Sequence, residues 1–176
     1  MQQLILLRWI AVIGQILTIE VVHYGLGMTL PLAPMLGIVA ALALFNGVSH
    51  LYWRRRKRVS HAALLLGLLV DVASLTAQLH LSGGTSNPFV FLYLLQVVLG
   101  AVLLPARHSG ILVAATSLCL IGLAVHPGPV TIPMRTAEGL GDHYVQGLLV
   151  CFVLVATLLV VFVTRIGRII RARDAH

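Results

Sequence analysis

The chain has 176 residues, of which 59% are hydrophobic and only 10% charged, with a net charge of +7. That leaves too little polar surface to coat a soluble globule of this size, so the chain reads as an integral, all-α membrane protein. Its positive charge is accounted for by topology and anionic lipid headgroups, and nucleic acid is rejected as a partner.

At 1.5 Å per helical residue, about 20 apolar residues cross a hydrocarbon core of roughly 30 Å. Six such runs are expected, at about 4–24, 31–52, 61–81, 88–104, 110–126 and 143–164. The first carries an early Arg8 and no small-residue cleavage site, so it reads as a retained helix and not a signal peptide. With a cytoplasmic N-terminus, one side receives Arg8, Arg54, Arg55, Arg56, Lys57, Arg58, Arg107, Arg165, Arg168, Arg171 and Arg173, eleven of the twelve Lys and Arg residues. Cation-rich loops face the cytoplasm, so both termini are expected inside. Only Arg135 falls on the other side, in a loop shared with Glu138 and Asp142.

In chain order, the first span places Gln15 and Thr18 near mid-membrane, then Glu20, His23 and Tyr24 at spacings that allow a local hydrogen-bonded group or an interfacial anchor. The second ends in Tyr52-Trp53 and five cations, a stop-transfer pattern. Asn46 and His50 on it read as interhelical adhesive without a functional role. In the third, Asp71 lies near the bilayer midplane, where an ionised carboxylate costs on the order of 2.5–3.5 kcal/mol. With no cation expected at that depth, it reads as a neutral acid hydrogen-bonded to Gln15, Thr18, Thr116 or Ser117. Ser74 and Gln78 continue its stripe toward the outer end, facing the bundle.

Between the third and fourth runs stands Gly83-Gly84-Thr85-Ser86-Asn87-Pro88-Phe89. Two glycines suit the left-handed backbone that ends a helix, and Asn87-Pro88 supplies an N-cap oxygen and a ring fitted to the first helical position. The stretch is an uncharged helix-to-helix turn whose free N–H groups and adjacent Phe89 can receive a ligand carbonyl. In the fourth run Phe89, Tyr93, Gln96 and Gly100 share a face opposite the Asp71 stripe. The pair of rows is either ordinary packing with polar adhesive or a small apolar pocket for a hydrophobic cofactor with two carbonyls. Gln78 and His80 reach toward its second carbonyl.

Gly110 and Ala114 form a small-residue pair for close helix approach. The Pro- and Gly-rich loop 127–142 is expected to lie over the outer helix ends. Cys119 and Cys151 sit in separate spans, match no metal-ligand spacing and read as packing residues. No metal is expected. Val163, Ile166, Ile170 and Arg173 begin an a/d-like pattern that carries the last helix out of the membrane, as a connector over 165–176 or as a basic helix end lying on headgroups.

An Asp in one span, then Gln78, then GGTSNPF opening the next, resembles the membrane domain of RegB/PrrB-type redox-sensing histidine kinases. Their GGxxNPF heptapeptide is matched at Gly83, Gly84, Asn87, Pro88 and Phe89, with Thr85 and Ser86 in the variable places. Leu7-Arg8-Trp9 and Arg171-Ala172-Arg173-Asp174-Ala175 also look like that family. The resemblance implies a six-helix inner-membrane sensor of the quinone pool, binding ubiquinone or another respiratory quinone at the heptapeptide. It further implies a kinase that phosphorylates a response regulator, while the a/d-like pattern of the last helix leads one to expect a homodimer in the longer parent. No phosphoacceptor histidine box or nucleotide-binding lid is found in these residues, so no catalytic residue is assigned. The alternatives are a quinone- or haem-binding membrane protein, for which His23 and His80 are the candidate axial pair, and a transporter, although no repeat relates the halves.

Overall fold

A computed structural model describes residues 8, 9, 12, 13, 15, 16, 19, 20, 23, 24, 29–55, 58–126, 128, 129 and 143–174. Among them are five α-helices, α1 (Leu32–Trp53), α2 (His61–Leu81), α3 (Leu92–Leu103), α4 (Ala106–Val125) and α5 (His143–Asp174), and no strand. Residues 8, 9, 12, 13, 15, 16, 19 and 20 of the N-terminal segment are also helical. Two short 3-10 turns, Gly84–Ser86 and Pro88–Phe91, join α2 to α3. The proposed loop 127–142 and Thr18 lie outside the described residues, apart from Gly128 and Pro129.

The helices start where local chemistry permits. Ser60 Oγ accepts from the Ala63 N–H at 3.2 Å, taking up one of the donors that a helix start leaves unpaired. Pro31 precedes α1 and Pro105 precedes α4, where a residue without an N–H costs nothing. Four helices, Leu32–Trp53, His61–Leu81, Ala106–Val125 and Val145–Ile169 within α5, are long and apolar enough to cross a membrane, and Pro88–Leu103 is a shorter apolar piece. Many large apolar side chains are exposed, Phe152 at 68% and Leu118 at 68% among them. In lipid such a surface is solvated, so the bundle hides little more than its helix contacts.

α2 is the central helix, packed against α1, α3 and α4. Two stripes run along it. Leu65, Leu68, Val72, Leu75 and Leu79 recur at alternating steps of three and four and enter the main core with Phe89, Tyr93, Leu112, Leu123 and Cys151. Gly67, Asp71, Ser74 and Gln78 form the polar stripe beside it. A second core joins Val12 and Ile19 of the N-terminal segment to Met35, Val39 and Leu42 of α1.

The close approach of α3 and α4 is made through Gly100, against which Leu112 packs so tightly that a Cβ there would collide with the leucine. The Gly110–Ala114 pair does not serve this purpose, since a Cβ on Gly110 would meet nothing within 4 Å. Leu112 is fully buried and fills the space that Gly100 leaves, which is the stronger attraction between helices in an apolar solvent.

Candidate functional site

The turn between α2 and α3 is held from within. Gly83 and Gly84 take φ of 111° and 60°, a backbone that side chains with a Cβ rarely adopt. Asn87 then binds in two directions. Its Oδ1 accepts from the Phe89 N–H at 2.9 Å, and its Nδ2 donates to the Ser82 carbonyl and to Ser82 Oγ, each at 2.9 Å. Ser82 Oγ in turn donates to the Gln78 carbonyl at 2.7 Å. The backbone closes as well, through Ser86 N–H to Gly83, Asn87 N–H to Gly84 and Val90 N–H to the Asn87 carbonyl.

One expectation changes here: the donors expected to be free for a ligand are used within the turn. Asn87 has no donor left for a ligand carbonyl, because both amide contacts run to Ser82, and the N–H of Phe89 is already capped. The two glycines are required by their positive φ; a Cβ at Gly84 would meet only the Leu123 carbonyl, at an ordinary 3.8 Å. Gly84, Pro88 and Phe89 are buried, while Thr85 and Ser86 present exposed hydroxyls and Asn87 and His80 are half-buried.

Below the turn, the rows on α2 and α3 are bonded across. Thr76 Oγ1 donates to the Val72 carbonyl at 2.7 Å, which leaves the Tyr93 hydroxyl to donate to Thr76 Oγ1 at 2.6 Å. Tyr93 is buried, so its hydroxyl serves the helix pair. Gln78 Nε2 donates to the Met35 carbonyl of α1 at 3.2 Å, which fixes the orientation of the amide and leaves Oε1 buried with no hydrogen bond among the described residues. Gln96 Oε1, Gln15 Oε1 and Ser74 Oγ are in the same condition.

Asp71 is not the lone acid that the sequence led one to expect. Arg8 Nε donates to Asp71 Oδ2 at 3.2 Å, with both side chains near-buried. Arg8 also lies over the Phe45 ring, 5.5 Å from its centre, an attraction between the cation and the negative ring face. Gly67, one turn before Asp71, makes the room: a Cβ there would collide with the guanidinium. The cation assigned to the inner loops is thus inside the bundle, and Asp71 is paired as a carboxylate. Thr116 and Ser117, two of its expected partners, instead donate into their own helix at 2.7 and 2.8 Å. Asn46 lies 1% exposed on α1, the residue after Phe45, with neither amide atom bonded among the described residues. Glu20 is exposed, and His23 and Tyr24 pack edge-on with ring centroids 4.8 Å apart.

The residues singled out from sequence therefore separate into two groups. Gln78, His80, Tyr93 and Gly83 to Phe89 lie along the α2–α3 corner, whereas Asp71 belongs with Arg8 and Gly67 on the N-terminal segment's side. Ser82, Thr76, Gly67 and Arg8 are partners that the sequence reading missed. Only Gly67 left a signal, a glycine one helical turn from a buried acid.

The sequence matches the PilS-like transmembrane domain over residues 2–169. The chain belongs to that family. It is 34% identical over 139 residues to the sensor histidine kinase RegB of Cereibacter sphaeroides, covering 79% of this chain and 29% of the kinase. The chain thus spans less than a third of that relative's length. No solved structure matches it. The family and the relative support the likeness to a RegB-type membrane sensor domain, and the chain is a multi-pass helical membrane domain of the bacterial inner membrane.

Proposed function

We propose that this PilS-like domain is the redox-sensing module of a two-component sensor histidine kinase, taking a respiratory quinone such as ubiquinone beside the turn from Gly83 to Phe89. In this reading six spans, 1–164, form the sensor, and 165–176 begin the cytoplasmic connector, with both termini inside. A kinase beyond this chain would act as a homodimer on a response regulator. The observation that carries the reading is the build of the turn. It is uncharged, locked by Asn87 and Ser82, buried at Pro88 and Phe89, and most exposed at Thr85 and Ser86.

The chemistry assigned to each residue follows from what its atoms have left to offer. Thr85 and Ser86 hydroxyls can donate to one quinone carbonyl, and His80 stands half-buried on the preceding helix. Gln78 Nε2 is spent on the Met35 carbonyl, so Gln78 offers nothing to a quinone carbonyl, and its Oε1, unpartnered among the described residues, could accept only from the hydroxyl of a reduced quinol. Phe89 gives an aromatic wall, while Gly83, Gly84, Asn87, Pro88 and Tyr93 hold the shape. One hydrogen bond contributes only about 0.5–1.5 kcal/mol net, so binding would come mainly from burying the ring and tail.

The test is photolabelling of the domain in membranes with an azido-benzoquinone, read by mass spectrometry. Label on the peptide 80–93, displaced by excess short-chain benzoquinone and weakened in Phe89→Ala, is the expected result. Label that is absent, or spread evenly over lipid-facing helices, would end the quinone reading.

A further inference from the structure

The helix that leaves the membrane is seated on the turn. α5 packs against the 3-10 turn Pro88–Phe91 and against α3, while most of its length faces outward, with Phe152, Val153, Val160 and Val163 all more than 60% exposed. Among the described side chains, the buried positions at this end are Gly147 and Cys151, one turn apart, and Cys151 shares the main core with Phe89. At Gly147 the fit is closest. A Cβ there would lie 3.0 Å from Pro88 Cγ, tighter than ordinary contact.

We infer that Gly147 is the positioning residue through which the turn sets the place of α5: the rigid ring of Pro88 is keyed into the gap left by its missing side chain. This deepens the reading of the turn as a sensor and rests on it only for the identity of the ligand. The ring leaves Pro88 Cγ only a change of pucker by which to yield, and Pro88 follows Asn87, whose amide is bonded back to Ser82 at the end of α2. A displacement of the turn larger than that pucker can absorb therefore moves α5 or breaks the seat. α5 is continuous over 32 residues, about 48 Å, well beyond a hydrocarbon core of roughly 30 Å. A shift at Gly147 is carried by one unbroken helix to its basic end.

The experiment is hydrogen–deuterium exchange of the whole chain in lipid nanodiscs, with wild type, Gly147→Ala, Gly147→Val and Gly110→Val, the last adding bulk where nothing lies within 4 Å. Without any quinone, Gly147→Val should speed exchange in the turn amides 84–92 by about tenfold and alter exchange at 164–174, with Gly147→Ala intermediate and Gly110→Val silent at both. Should Gly147→Val not fold, Gly147→Ala carries the comparison. In a second arm, azido-benzoquinone should still label the turn of Gly147→Ala, but the change that short-chain benzoquinone produces at 164–174 in wild type should be diminished. Unchanged turn exchange in both Gly147 variants overturns the inference, as does a wild type that is labelled at the turn yet unchanged at 164–174. If the first arm succeeds and wild type takes no label, the quinone reading fails and the mechanical seat stands.

Discussion

Arg8 and Asp71, 63 residues apart in sequence, meet inside the bundle at 3.2 Å. Asp71 is ten residues from either end of α2, about 15 Å of helix, so this is an ion pair at membrane depth. Removing one partner leaves a buried charge unpaired, at a cost of about 3–5 kcal/mol, whereas removing both can be close to neutral. Arg8→Leu or Asp71→Leu alone should therefore destabilise the domain strongly, and the Arg8→Leu/Asp71→Leu double variant should regain most of the loss. Resistance to SDS unfolding in mixed micelles measures all three, and a double variant no better than the worse single one would contradict the pairing.

Gly67 is expected to act through the charges it accommodates, at a smaller cost than the loss of either one. A methyl group at this position occupies the space of the Arg8 guanidinium, so Gly67→Ala should separate the pair although alanine favours helix. The loss should shrink in the Arg8→Leu/Asp71→Leu background, where nothing is displaced. Equal destabilisation by Gly67→Ala in both backgrounds, in the same unfolding assay, would mean that Gly67 serves another contact.

The all-helical membrane character, the four long apolar helices and the self-contained turn were legible because they follow from local rules: apolar run length, positive-φ glycines, and an Asn before Pro. The polar stripe of α2 was legible too, since steps of three and four place Asp71, Ser74 and Gln78 on one face. What each polar atom binds was not. Arg8 was counted among loop cations from its position near the chain start, yet its long side chain reaches Asp71 because Gly67 yields space. Asn87 offers the same donors in any sequence reading; only the fold shows that Ser82 uses them. Likewise, small residues predict that helices approach closely somewhere, and the structure selects Gly100 over Gly110.

Tyr93→Phe isolates one interhelical hydrogen bond. The substitution keeps the buried ring and removes the donor to Thr76 Oγ1, which still donates to the Val72 carbonyl. The expected cost is about 0.5–1.5 kcal/mol, with quinone labelling of the turn retained because the hydroxyl is directed to the helix and not to a ligand. Loss of labelling at unchanged stability would move Tyr93 into the binding site itself.

Topology is testable with the same set of membranes. With Arg8 drawn into the bundle, the remaining cations at Arg54 to Arg58, Arg107 and the α5 end are still expected on one side. Cysteines placed at Arg55 and Arg107 should be blocked only by a membrane-permeant maleimide in intact cells. Labelling of Arg55→Cys by an impermeant reagent would invert the arrangement.

Asn87 separates holding the turn from holding a ligand. Its Oδ1 caps Phe89 and its Nδ2 ties the turn to Ser82, so the two functions can be removed one at a time. Asn87→Asp keeps the cap and loses both donor contacts, while Asn87→Ala loses everything. An N-cap is worth about 0.5–2 kcal/mol, so Asn87→Ala should be the less stable variant, with Asn87→Asp between it and wild type. Ser82→Ala removes the Oγ acceptor but leaves the Ser82 carbonyl available, and should be milder than either. If Asn87 acts only through the turn, azido-benzoquinone labelling should fall in the same order as stability across the three variants, and cooling or added stabilising lipid should restore both together. A variant that keeps wild-type stability and loses labelling would instead give the Asn87 amide a direct part in binding, and the bonds to Ser82 would then have to open when the ligand arrives.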